Sequence, residues 1–182
     1  MLNIKGKRIN LIIPTMKHVD HIVKHANDED VAKYLENLPY PYKRKDGVFF
    51  VKKMVKKGVI SKTDYHFSIF EKEKNEVIGG IGFHKINKKH NNTEVGYWLG
   101  KKYWRQGYGL EALRLILGFG FNRLKLNKIY ASAYGPNIAS QKLLKKAGFK
   151  QEGQFRKQLY KHNKWHDEFR FGILKEEYDK QN

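Results

Sequence analysis

The stretch EVGYWLGKKYWRQGYGLEAL, from Glu94 to Leu113, changes period part-way along. It opens as the apolar alternation of a strand, continued from Thr93 to Gly100. It closes as the start of a helix from Gly107 to Leu124, with Leu110, Leu113, Leu117, Phe121 and Leu124 as its inner stripe. Between the two lie Trp104, Arg105, Gln106, Gly107, Tyr108 and Gly109. Gly107 and Gly109 remove two Cβ atoms where strand hands over to helix. The first free N–H groups of a helix point outward at such a joint, and the helix dipole reinforces them as an anion site. Arg105 adds a mobile positive charge. The Gly-Lys-Ser/Thr ending of a Walker loop is missing, and so is the Gly-x-Gly-x-x-Gly spacing of a dinucleotide fingerprint. A turn with two glycines is also common in ordinary strand–helix joints.

Working outward, Arg8 to Ile13 reads as a first strand closed by Pro14, and Thr15 as the N-cap of a helix from Met16 to Asn27. Val19, Ile22, Val23 and Ala26 form the apolar face of that helix. His18, His21 and His25 recur at helical spacing on the other side. No carboxylate–histidine motif accompanies them, so a polar solvent face is expected and no metal. Helices are expected over Asp28 to Leu38, before Pro39 and Pro41, and over Lys43 to Gly58. Asp64 to Glu71 and Glu76 to Ile86 alternate as strands, and Gly79, Gly80 and Gly82 in the second suggest a bulge or a close backbone approach. Lys128 to Tyr134 is the next strand after the helix. Asn137 to Ala147 is a further helix, stopped by Gly148. Phe149 to Lys157 and Asp167 to Leu174 close the chain as strands. This order is that of a mixed α/β (α+β) domain with both meander and crossover connections.

The bulk composition agrees with one domain over residues 1–182, with 40% hydrophobic and 14% aromatic residues to build its core. No apolar run approaches the roughly 20 residues of a membrane span, and the N-terminus lacks a signal-peptide cleavage pattern. The absence of cysteine excludes disulfides, thiolate metal sites and a cysteine nucleophile. A cytoplasmic protein, monomeric or homodimeric, is expected. The net charge of +19 invites a nucleic-acid reading. Of the 37 basic residues, however, most are Lys spread along the whole chain, whereas base and phosphate readers favour Arg. A Lys-rich solvated surface is the simpler reading. Attraction to an acidic partner, whether cofactor, RNA or anionic surface, is the other.

A second constellation follows about 30 residues after the first. Asn137-Ile138-Ala139-Ser140 leads to Leu143 and Gly148-Phe149. Asn137 follows Gly135-Pro136, so it reads as a helix N-cap, with Ser140 in the first turn. In this order and spacing the two constellations resemble the GNAT superfamily of acetyltransferases, and within it the RimJ/RimL branch of ribosomal-protein N-terminal acetyltransferases. Val95-Gly96-Tyr97-Trp98-Leu99, Tyr103-Trp104 and Gly107-Tyr108-Gly109-x-Glu111-Ala112 carry the most specific part. Arg8 to Pro14 resembles the branch's opening strand. Glu152-Gly153, Arg156 and Asp167 resemble its C-terminal pattern.

The resemblance implies a single GNAT-like domain: a mostly antiparallel twisted sheet, splayed at a cofactor cleft and flanked by helices. It implies an acetyl-CoA-dependent N-acetyltransferase without a metal. Gly107 and Gly109 fall on the two small positions of the family's pyrophosphate loop, and Trp104 on its Gln/Arg position. Backbone N–H groups from Arg105 through Gln106, Gly107, Tyr108 and Gly109 to Leu110 would hold the pyrophosphate. Tyr97, Trp98 and Leu99 would pair with the pantetheine arm, and Asn137 would hydrogen-bond it. A primary amine, such as a protein N-terminus, a ribosomal protein's among them, or a small-molecule amine, would attack the thioester directly, after losing a proton. The oxyanion would need an N–H donor near Leu99. Leu144 stands where many GNAT enzymes place a tyrosine acid. Ser140 is the branch's alternative proton donor, and Glu94 the candidate base. A C-terminal carboxylate used by some of the branch would fall near Gln158-Leu159, which holds none. Tyr134 and Tyr160 are further polar candidates near the cleft. His162 and His166 read as surface residues around a turn. A catalytically weak, acetyl-CoA-binding or RNA-associated module on the same fold is the alternative.

Overall fold

The computed structural model of the protein describes residues 2–36, 38–56 and 63–181. Eight strands form one sheet: β1 (Asn3–Lys5), β2 (Ile9–Ile12), β3 (Tyr65–Glu71), β4 (Glu76–Asn87), β5 (Asn92–Leu99), β6 (Lys128–Tyr134), β7 (Lys150–Lys161) and β8 (Lys164–Leu174). Their spatial order is β1-β2-β3-β4-β5-β6-β8-β7. Every neighbouring pair is antiparallel except β5 and β6, which run parallel. A parallel neighbour needs a crossover, and helix α4 introduced below supplies it.

Among the described residues, six α-helices accompany the sheet. These are α1 (Val19–Ala26, entered by a 3-10 turn at Met16–His18), α2 (Glu29–Ala32), α3 (Arg44–Phe49), α4 (Tyr108–Gly118), α5 (Ile138–Lys146) and α6 (Lys175–Asp179). Thr15 is the N-cap expected of it, and its N–H donates to Nδ1 of His18 at 3.0 Å. Asp28 caps α2, but that helix is one turn long and not the eleven residues expected to Leu38. Asn37 and Gly58, within or at the end of expected helices, lie outside the described residues. Two segments expected as plain α-helix widen into π-helical turns, Phe50–Val55 after α3 and Phe119–Arg123 after α4. Within the second, Gly120 packs closely on the sheet: a Cβ there would meet Ile129 at 2.7 Å and Phe83 at 2.8 Å. The wider turn lets Phe119 and Phe121 both face the core. Strand β1 and helix α6, both short, were not expected.

The main core lies between one sheet face and α4 with α5. Ile9, Leu11, Phe67, Ile69, Ile78, Ile81, Phe83 and Val95 meet Leu113, Ile116, Leu117 and Leu144. Leu113 is fully buried, so truncating it to Ala should cost about 2–5 kcal/mol. The opposite face carries α1, where Val19, Ile22 and Ala26 pack with Tyr42, Val51 and Val77. The histidines of α1 do not form a solvent face. His18 and His25 are buried, and His21 accepts the N–H of Val77 through Nδ1 at 3.3 Å. The helix is packed between β4 and the α3 segment, where a Cβ at Gly47 would meet Val19 and Val23, and each imidazole finds a polar partner. The glycines of β4 show the expected close approach: a Cβ at Gly80 would meet the Trp98 indole at 2.5 Å. The bulge is there too, where the β3–β4 register shifts between Ile69 and Phe70.

Candidate functional site

The sheet opens at one seam. β5 and β6 pair only from Asn92 with Lys128 to Glu94 with Tyr130, although both strands run on, to Leu99 and Tyr134. Beyond Glu94, β6 stays with β8 and β5 stays with β4. The edge of β5 from Val95 to Leu99 therefore faces a gap. The pleat decides which backbone groups face it. The N–H of Gly100 donates to the carbonyl of Ile78 at 2.8 Å. Alternation then turns the backbone groups of Trp98, Gly96 and Glu94 toward β4, and those of Leu99, Tyr97 and Val95 toward the gap. Tyr97 and Leu99 thus turn their backbone groups to the gap, while Trp98 is turned away and its indole covers Gly80. The carbonyl of Leu99 is already taken by Nε1 of Trp104, at 2.7 Å.

The opening continues into the loop before α4. Arg105 has φ of 59° and Gly107, the N-cap of α4, has φ of 83°. Left-handed residues alternating with ordinary ones turn successive N–H groups to one side, the arrangement of an anion-binding nest. The carbonyl of Gly107 accepts the first intrahelical bond, from Glu111. The N–H groups of Tyr108, Gly109 and Leu110 ahead of it have no helical acceptor. Arg105, Gln106 and Gly107 are exposed. The Gln106 side chain turns back to the carbonyl of Lys102 at 2.7 Å, bracing the loop. Gly109 leaves room for Leu143 of α5, which a Cβ would meet at 3.1 Å.

Two anchors, neither expected from the sequence, hold this loop. The first is Arg8. Its Nε binds Glu111 Oε2 at 3.0 Å, its Nη1 donates to the carbonyl of Gln106 at 2.8 Å, and its guanidinium lies 4.5 Å over the Tyr108 ring. Glu111 also accepts the backbone N–H of Arg8 at 2.8 Å. The second is Glu76. One of its oxygens accepts from Lys24 at 2.6 Å and contacts His25 Nε2 at 3.0 Å, while the other accepts the Tyr103 hydroxyl at 2.5 Å. Burial works against this carboxylate's charge, but Lys24, Tyr103 and His25 hold its pKa down to about 2. Tyr103 is fully buried two residues before Arg105, so the network ties the loop to α1 and β4.

Along β5 the side chains alternate between faces. Val95, Tyr97 and Leu99 pack on the α4–α5 side, and Trp98 on the α1 side. Glu94 belongs to the α1 side. On the α4–α5 side, the Tyr97 hydroxyl lies 2.8 Å from Ser140 Oγ. Burial pushes the Tyr97 phenol up to about 12, against a smaller pull from Ser140. A phenol therefore stands beside Ser140 after all, contributed by β5 and not by position 144, where Leu144 is fully buried. Asn137 caps α5, its Oδ1 accepting the N–H of Ser140 at 3.1 Å. Glu94 and Ser140 thus sit on opposite faces of one strand, at the seam where the sheet opens.

The Glu94 face continues across the seam. Tyr130 is the register partner of Glu94, and Tyr134 that of Glu168 on β8. Glu168 is a buried carboxylate that the sequence reading did not single out. The β7–β8 hairpin folds over the end of this face, Lys161 Nζ donating to the carbonyls of Ala32 at 3.0 Å and Leu35 at 2.7 Å. Under it lies a cavity of about 290 Å³ bordered by Glu29, Tyr34, Tyr134, Lys161, His162 and His166. His162 is exposed in the expected turn, whereas His166 is half-buried against Tyr134. Tyr160 is exposed against Trp165 and does not border the cavity.

With this geometry in view, comparison with known proteins is informative. Residues 8–150 match the family described as the acetyltransferase (GNAT) domain, and the chain belongs to that family. It is an acyltransferase of the N-acetyltransferase type. An uncharacterized N-acetyltransferase, p20 of Bacillus licheniformis, is 30% identical over 94% of this chain and 96% of its own. A GNAT-family acetyltransferase structure from Bacillus anthracis is also 30% identical, with a TM-score of 0.83 over 96% of this chain and 99% of that one. The structure of RimL, a ribosomal L7/L12 α-N-protein acetyltransferase in complex with coenzyme A, has a TM-score of 0.86 at 18% identity, over 95% and 98%. That last likeness is one of fold.

Proposed function

We propose that the protein transfers the acetyl group of acetyl-CoA directly to a primary amine, and that the amine is a protein N-terminal α-amine of the kind the RimJ/RimL branch acts on. The observation that carries this is the continuity of the seam. The free edge of β5 leads without a break into the N–H nest at Arg105 to Leu110, and the acid and base candidates flank it on opposite faces. The residues present fit the cofactor: an anion cradle where a pyrophosphate would lie, and an unpaired strand edge where an amide-bearing arm would pair. Bound there, acetyl-CoA supplies the activated acetyl group as a thioester.

The chain's own groups then divide the work. The N–H groups of Arg105, Gln106, Gly107, Tyr108, Gly109 and Leu110 hold phosphate charge, helped by the α4 dipole. The Arg105 side chain is free to close over it. Backbone groups of Tyr97 fix the arm, and Asn137, whose Oδ1 is occupied, offers its amide N–H₂. The N–H of Leu99 is aimed into the gap to meet negative charge developing there. Glu94 takes the proton that an ammonium must lose before it can attack. Ser140, backed by the Tyr97 hydroxyl, returns a proton on the other face, to the departing sulfur. With no cysteine in the chain, transfer needs no acyl-cysteine relay.

The acceptor class follows from charge and proton affinity. A net charge of +19 repels polyamines. An α-amine, with a pKa about 2–3 units below that of a lysine side chain, is the easier amine for a carboxylate to deprotonate. The cavity beneath the β7–β8 hairpin is large enough for one or two residues of a peptide. A thiol-release screen across Ser-, Ala- and Met-starting peptides and small amines tests the reading. Peptides should outrank amines such as spermidine. Turnover confined to small amines would overturn the acceptor class, and no turnover with any amine would leave a cofactor-binding module.

A further inference from the structure

Three side chains with metal-ligating atoms converge at the rim of the sheet, outside the cofactor seam. They are Asp64, His66 and His84, and one ligand atom from each lies within 4.8 Å of the others. The convergence follows from strand geometry. Asp64 and His66 are two apart, so they share a face. The β3–β4 register pairs Tyr65 with Phe83, and continuing it by one place sets Asp64 across from His84. A pair at i and i+2 on one strand, with a third residue on the neighbouring strand, presents three ligands to one point.

The surroundings are those of a prepared site. The Asp64 carboxylate is fixed by the Lys85 N–H at 3.1 Å and the Thr63 hydroxyl at 2.9 Å. Such outer contacts orient ligating carboxylates in metal sites. Lys85 adopts a φ of 52° at that position. The His84 ring lies over Gly96, where a Cβ would come within 2.9 Å of its Nε2. The His66 ring packs 5.4 Å from that of His84, with Phe50 edge-on at 5.6 Å. All three residues are half-buried. Yet neither imidazole has a hydrogen-bond partner among the described residues. Among the described residues, the two half-buried rings lie against each other with carboxylates beside them, Asp64 at both and Glu94 at His84, the setting of a shared cation.

We infer that Asp64, His66 and His84 form a binding site for a divalent transition-metal ion of the zinc class. Two imidazoles and a carboxylate, with no thiolate, suit zinc, cobalt or nickel and not magnesium or calcium. Tetrahedral zinc holds its nitrogen ligands at about 2.0–2.1 Å. Three protein ligands leave a coordination position for water or another group. Glu94, the cross-strand partner of His84, is the nearest acidic side chain on the next strand.

The test uses the whole chain, stripped with a chelator and titrated with Co²⁺ under visible absorption and with Zn²⁺ by calorimetry. One equivalent should bind, with the intense visible absorption of four- or five-coordinate Co²⁺, and Mg²⁺ should not compete. His66→Gln and His84→Gln should each weaken binding by about tenfold or more, the effect typical of lost ligand-sphere contacts, while His90→Ala and His162→Ala leave it intact. Unfolding temperatures of the metal-free variants check that they fold. The inference is overturned if wild-type protein shows only the weak spectrum of the aqueous ion. It is equally overturned if the absorption survives in both His66→Gln and His84→Gln. Neither reading depends on acetyl transfer, so the outcome is independent of the proposed activity.

Discussion

The two halves of the proposed site are built in opposite ways. The donor half is nearly contiguous: β5, the loop, and the first turn of α4 lie within residues 92–110. The proposed acceptor half draws on Glu94 and on the cavity bordered by Glu29 and Tyr34, Tyr134 and the β7–β8 hairpin, which are far apart in the chain. A phosphate-bearing cofactor can be held by backbone N–H groups, and these need a chain conformation more than particular side chains. An acceptor must be chosen by side chains, which can come from anywhere the sheet brings together. The first kind of site leaves a motif in the sequence, and the second does not.

Substitutions can separate the halves. The largest effect is expected for Glu94→Gln, which removes the proposed base while leaving the proposed donor cradle untouched. Its kcat should fall by about a hundredfold or more, with the KM for acetyl-CoA within twofold. An equal rise in donor KM would erase the division between halves.

Next comes the buried carboxylate beneath the loop. Because the folded pKa of Glu76 is depressed to about 2 from 4.5, its contribution to stability is present above pH 4.5 and is lost as pH falls from there toward 2. That contribution is on the order of 3 kcal/mol. Glu76→Gln should lower the melting temperature near neutral pH by roughly 5–10 °C, and should flatten the acid limb of a melting-temperature profile between pH 4.5 and 2.

Arg8→Ala should sharpen the contrast from the donor side. With the Gln106 carbonyl released and Glu111 unpaired, the loop loses its brace. The KM for acetyl-CoA should rise by about tenfold, the equivalent of roughly 1.4 kcal/mol, with kcat little changed. The smallest effect is expected for Tyr97→Phe, which deletes one hydrogen bond to Ser140 and should slow turnover by about fivefold. The loss should disappear in a Ser140→Ala background, a non-additivity that a merely structural tyrosine would not show.

The same contrast explains what could be read in advance. The alternation from Thr93 to Gly100 and the stripe from Leu110 to Phe121 were legible because burial on one face repeats at the period of the element. The Gly79–Gly82 approach and the Asn137 cap were legible because each has a local chemical signature. What escaped depended on distance in the chain. Arg8 meets Glu111 across about a hundred residues, the Tyr97 phenol reaches Ser140 from another element, and Glu168 matters only because β8 lies beside β6. The burial of the α1 histidines was not legible, because a helical face cannot reveal that a second layer will cover it. The close approach of Gly120 to Phe83 was hidden in the same way, because Phe83 lies on a distant strand.

The central claim is that backbone N–H groups at the start of α4 hold the donor, and Gly107 is where it can be struck. Its φ of 83° is strained for a β-branched residue by about 1–3 kcal/mol, and a side chain there also crowds Arg8, which a Cβ would meet at 3.1 Å. A calorimetric titration of wild type and Gly107→Val with acetyl-CoA measures this directly. One equivalent should bind wild type, and the variant should bind at least tenfold more weakly while retaining its unfolding transition. Equal affinity in the two proteins, or no binding to wild type, would contradict the assignment.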